Sequence, residues 1–137
     1  MSTLKVANLQ NTGSGAPTVK NSSGDEIGQF AKAWVSFNGT GTIAIRDDFN
    51  VTSLTDNGTG DYAVNFDNAM SNANYSAVAS VNSIGSANSS SNCAMVFARS
   101  GATNVSPTTS SMACCAYHAP NTVNQDVTFY CVTVFGN

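Results

Sequence analysis

WVSFNGTGTIAIRDDFNVTSLTDNGTGDYAVNF, residues 34–66, decides the fold. Short runs of aromatic and β-branched residues flank two Asn-Gly-Thr-Gly segments, at 38–41 and 57–60. Asn-Gly tolerates the positive φ that a tight hairpin turn demands, and the apolar residues on both sides of each turn fall at strand spacing. The stretch therefore reads as a hairpin scaffold without catalytic residues, and function must lie in what that scaffold presents.

The same grammar continues through the chain. Strands are predicted near 30–37, 42–47, 49–55, 61–67, 75–82, 93–99, 111–118 and 126–135. Tyr62, Val64 and Phe66 share one face, opposed by Ala63 and Asn65. In the last run Val127, Phe129 and Cys131 have one parity and Tyr130, Val132 and Val134 the other, so both faces are apolar, as suits a central strand or one at a subunit contact. Helical periodicity is nowhere sustained. Seven or eight short strands at this spacing predict an all-β domain, an antiparallel β-sandwich or a jelly-roll-like knob. Polar loops are expected at 83–92, 101–111 and 118–125.

The chain reads as a β-sandwich domain over 29–137 preceded by an arm, 1–28. In the arm single apolar residues, among them Leu4, Val6, Leu9, Val19 and Ile27, are dispersed among Asn, Thr, Ser and Gly. That is too thin for a core of its own. The arm should be disordered, docked as an extended strand, or intertwined with neighbouring copies, which makes Leu4, Val6 and Leu9 the candidates for oligomerisation.

Composition narrows the function classes. Charged residues are 9% of the chain, against about a quarter in an average soluble domain, while Ser, Thr, Asn and Gly make up roughly two-fifths. With 42% hydrophobic residues there is enough core material for a folded, extracellular-type β protein. Five Lys and Arg are scattered and the net charge is −3, which argues against nucleic-acid binding. Weakly charged strand edges invite pairing with other chains, an argument for assembly. No apolar run approaches the roughly 20 residues of a membrane-spanning helix. The first residues lack a signal-peptide layout, so the expectation is synthesis in a cytosol and no membrane insertion.

No catalytic, metal-binding or cofactor-binding set emerges. Asp47 with Asp48, or Asp56 with Asp61, would be the acidic pairs of a glycosidase, but neighbours in a strand diverge and loop Asp residues commonly close turns. Residues 56–61 resemble a calcium loop only faintly, without the bidentate Glu. Cys93, Cys114, Cys115 and Cys131 lie in apolar runs and read as reduced, buried thiols; adjacent Cys114 and Cys115 point to opposite faces. His118, the only histidine, is expected exposed at a loop after Tyr117, and these two are the candidates for contact with a ligand. Trp34, Phe37, Phe49, Tyr62 and Phe66 suggest a carbohydrate platform, yet their strand positions favour burial.

The order WVxFNGTGTxxIRDxFNV followed by TDNGTGDYxVNF resembles a β-structured domain that recurs in tail-fibre and other appendage proteins of tailed phages, cyanophages prominent among them. The resemblance covers residues 31–66, extends more loosely through 72–75 and the terminal VTFYCVTVFGN, and leaves 83–109 unanchored. It implies a non-enzymatic virion protein, a small tail-fibre or appendage subunit, homotrimeric, that presents a knob for host attachment through a surface glycan or protein. Its other partners would be virion proteins. A capsid decoration or head-fibre protein is the alternative reading, and a carbohydrate depolymerase a third from another class.

Overall fold

In a computed structural model that describes residues 5–6, 8–10, 18–82, 92–98, 105–118 and 123–136, every regular element is a β-strand. The chain divides into two compact units, Met1–Phe30 and Ala31–Asn137. In the first, β1 (Val19–Lys20) and β2 (Glu26–Gly28) form a small antiparallel hairpin. Its turn is closed by Asn21, whose Oδ1 accepts from the backbone N–H groups of Ser23 and Asp25, both at 2.9 Å. The sequence reading of an arm did not contain this hairpin, because an Asx turn and not apolar alternation holds it. Leu4 lies outside the described residues; Val6 and Leu9 are exposed.

The second unit contains β3 (Ala33–Asn38), β4 (Ala44–Phe49), β5 (Val51–Gly58), β6 (Asp61–Phe66), β7 (Ser76–Val81), β8 (Asn92–Val96), β9 (Ser111–His118), β10 (Val123–Asn124) and β11 (Tyr130–Phe135). One sheet has the order β4-β3-β11-β7. In the other, β5 pairs with β6 and β6 with β9. Cys115 faces both Asp61 and Met95, so β6 and β8 flank β9 on opposite sides; His118 faces both Asn92 and Val123, which puts β10 on the β6 side. All pairings are antiparallel, and the two sheets pack as a β-sandwich.

Each Asn-Gly-Thr-Gly segment turns a hairpin, and the two hairpins lie in different sheets. Asn50 alone carries the chain from β4 to β5, and so from sheet to sheet, in the left-handed region at φ 57°. Asn is among the residues that accept that conformation, and here its side chain secures it. Its Nδ2 donates to the carbonyls of Lys32 (3.0 Å) and Asn68 (3.1 Å), and its Oδ1 accepts from the Asn68 N–H at 2.7 Å.

Strand alternation fills the space between the sheets. Ala33, Val35 and Phe37 of β3, Tyr130, Val132 and Val134 of β11, Tyr62, Val64 and Phe66 of β6, and Met112, Cys114 and Ala116 of β9 form the core. Phe37 stacks on Tyr130 (5.1 Å between centroids), and both meet the edge or face of Tyr62 from the opposite sheet at 5.2 and 6.0 Å. A second group, Phe66, Tyr75 and Phe97, sits elsewhere in the core. Of the aromatic residues expected inside, Phe37, Tyr62 and Phe66 are buried, but Trp34 and Phe49 are not. Burying Ala33, Val35 and Phe37 turns Trp34 outward, and Phe49 is its partner across the ladder. The thiols also divide: Cys114 and Cys115 are buried, Cys131 is half-buried and Cys93 is exposed, contrary to the expectation of four core thiols.

Candidate functional site

The residues that recur in the hairpin motif are occupied with structure. The Tyr62 hydroxyl shares its proton between the carbonyl of Gly39 (2.9 Å) and Asp126 Oδ1 (3.0 Å), and the same Oδ1 accepts from the Gly60 N–H at 2.7 Å. Glycine is required at 39, because a Cβ there would strike the Tyr62 hydroxyl. At Gly60, with φ 62°, a Cβ would meet backbone atoms of Gln125 and Ala116 at 2.6–2.8 Å. One buried phenol and one carboxylate thus tie both Asn-Gly-Thr-Gly turns to the segment before β11. Burial raises the Tyr62 pKa, and the charge of Asp126 raises it further.

The acidic pairs do not converge. Asp47 Oδ1 accepts from the Asp48 N–H at 3.0 Å, while the Asp48 carboxylate turns to the Val51 N–H at 3.4 Å. Asp56 closes its own turn by accepting from the Gly58 N–H at 2.9 Å, whereas Asp61 is buried opposite Cys115. Nor do the two buried thiols suit nucleophilic chemistry. Burial pushes the Cys114 thiol up to about 12, and burial, with the Asp61 charge, pushes Cys115 up to about 11, so both stay protonated at neutral pH. Among the described residues no group of three His, Cys, Asp or Glu could hold a metal ion.

Tyr117 and His118 close β9. Both are half-buried, where exposure of the histidine was expected. The reason is β10, too short to show in the sequence pattern, which pairs Val123 with His118 and Asn124 with Tyr117 while β8 covers the other side. Among the described residues, His118 Nδ1 and Asn124 Nδ2 are buried without a hydrogen-bond partner. The polar loops expected at 83–92 and 101–111 fall largely outside the described residues.

A second surface was missed at the sequence level. On the outer face of β4-β3-β11-β7 the ladder aligns Phe49, Trp34, Thr133 and Val78 in one rung, with Phe49 53% and Val78 58% exposed. The next rung is Asp47, Ser36, Cys131 and Ser80, with the Cys131 thiol 3.6 Å from the Ser36 hydroxyl. Beyond it Arg46, the extra residue of a β-bulge opposite Ser36 and Phe37, lays its guanidinium 3.8 Å from the centroid of the half-exposed Phe129 ring. Its Nη1 donates to the carbonyls of Phe37 and Thr128. The alternation of β3 could have shown this face, had the small Ala33 been assigned to the core.

No protein family, curated protein or solved structure matches the chain.

Proposed function

We propose that the protein is a non-enzymatic structural subunit of a phage particle, a small tail-fibre or appendage protein whose β-sandwich is a knob for host-surface recognition. The observation that carries the reading is the resemblance of residues 31–66 to the appendage domain. The site geometry agrees with it. Gly39, Asn50, Gly60 and Tyr62 of that segment are spent on turns, a sheet crossing and a buried knot, and Asp56 closes its own turn. A domain built so leaves its faces and loops free to vary in what they bind.

The assembly proposed is a homotrimer joined through the unit Met1–Phe30, where Val6, Leu9, Ile27 and Phe30 are exposed apolar side chains in need of cover. Three linked weak sites would then bind far more tightly than one. Light scattering on the full chain and on a chain lacking residues 1–28 tests this: a trimer that falls to monomer is expected, and a full chain that is already monomeric contradicts it.

Antibody labelling of purified particles in the electron microscope tests the main reading. Label at the tail or its appendages is the expected result. Label on the head replaces it with the capsid-decoration reading, and a chain found only in the soluble lysate defeats both.

A further inference from the structure

The outer face of β4-β3-β11-β7 has a composition that neither the fold nor the hairpin motif requires. Aromatic rungs alternate with a polar one. Trp34 and Phe49 stand in the first rung, Asp47, Ser36 and Ser80 in the second, and Phe129 under Arg46 beyond it. Phe129, the residue before β11, stands four residues from Thr133 of the Trp34 rung, or about 14 Å along an extended chain at about 3.4 Å per residue. We propose that this face binds a neutral saccharide chain, with the rings of Trp34 and Phe129 against the C–H faces of sugars and with Asp47, Ser36 and Arg46 hydrogen-bonded to their hydroxyls.

The chemistry of the face selects that ligand. A sugar ring offers a flat, weakly apolar face of C–H bonds and a rim of hydroxyls, and it needs an aromatic surface and nearby donors and acceptors at once. Asp47 supplies acceptors, the Ser36 hydroxyl supplies both functions, and the guanidinium of Arg46 has N–H groups to spare beyond its two backbone carbonyls. Within these three rungs the ionic groups are one anion and one cation, so the face is close to neutral. An anionic ligand such as nucleic acid or an acidic lipid surface would find a single guanidinium, already pinned over a ring. A second copy of the chain would bury Asp47 and Arg46 at the centre of the contact, where charges are disfavoured. Trp34, Ser36 and Asp47 stand on paired strands, and the cation of Arg46 is held over Phe129 before any ligand arrives.

This inference deepens the host-recognition reading and takes its biological setting from it, but the binding itself is tested separately. Trp34 is the only tryptophan, so its fluorescence reports on the platform directly. The probes are neutral hexasaccharides of glucose, N-acetylglucosamine, mannose and galactose, titrated into the full chain and followed by emission and by calorimetry. At least one should saturate the change in Trp34 emission. Trp34→Ala and Phe129→Ala should each weaken binding by about tenfold or more. Trp34→Phe should keep most of the affinity, and Thr52→Ala, at an exposed position of β5 in the other sheet, all of it. Phe129→Ala and Trp34→Phe carry the test should Trp34→Ala fail to fold. Silence with every probe overturns the proposal, as does binding indifferent to Trp34 and Phe129. Emission that changes with protein concentration alone overturns it in favour of a second copy. Saccharide binding by a chain absent from particles would leave the platform standing and remove the appendage reading; a particle protein that binds none of the probes would do the reverse.

Discussion

A Cβ at position 39 has nowhere to go but into the Tyr62 hydroxyl, so Gly39→Ala should cost about 1–3 kcal/mol as overpacking. Tyr62→Phe, which leaves the ring and removes the hydroxyl, should cost about 1 kcal/mol. Urea unfolding of both variants measures the difference, and equal costs would deny the close approach. The buried hydroxyls and thiols also set a limit on pH. Burial holds Tyr75 up to about 12 and Cys114 up to about 12, and it raises Tyr62 and Tyr130 as well, while unfolded phenols and thiols ionise near 10.0 and 9.0. These groups are neutral in the fold and charged in the unfolded chain at high pH. Their contribution is therefore whole below pH 9.0 and is lost as pH rises from there through about 12. Urea midpoints should fall across that window in step with phenolate absorbance, and a flat profile would contradict the burial of these side chains.

Between β4 and β5 the sheet crossing rests on one residue. Asn50→Ala loses the hydrogen bonds to Lys32 and Asn68 and also places alanine at φ 57°, whereas Asn50→Gly loses only the hydrogen bonds. The alanine variant should be less stable by about 1 kcal/mol, the cost of a left-handed residue, and thermal unfolding that ranks the two equally would place the stabilisation elsewhere. The hairpins around this corner were legible because Asn-Gly punctuation and period-2 alternation agree over residues 34–66. The remaining long strands were legible from their apolar runs. β1, β2 and β10 were not, since strands of two or three residues carry no period; the first hairpin depends on the Asn21 side chain, and β10 on pairing with β9. Without β10 nothing in the sequence signalled that His118 would be covered. Trp34 and Phe49 were misassigned because aromatic residues were given to the core by type, while the pleat gave that side to Ala33, Val35 and Phe37.

At the scale of the molecule, two sheets are fastened internally by aromatic groups, and the outer side of one sheet carries the exposed side chains of Phe49, Val78 and Phe129. In the proposed function that sheet is the recognition surface of a particle appendage. The purified chain should then compete with particles for the host surface. Particle adsorption to host cells, measured with and without a saturating amount of the purified chain, tests this most directly. Adsorption should slow markedly with the native chain and stay normal with a folded Trp34→Ala chain; unimpeded adsorption in the presence of the native chain, shown to be in excess, would contradict a recognition role for this sheet.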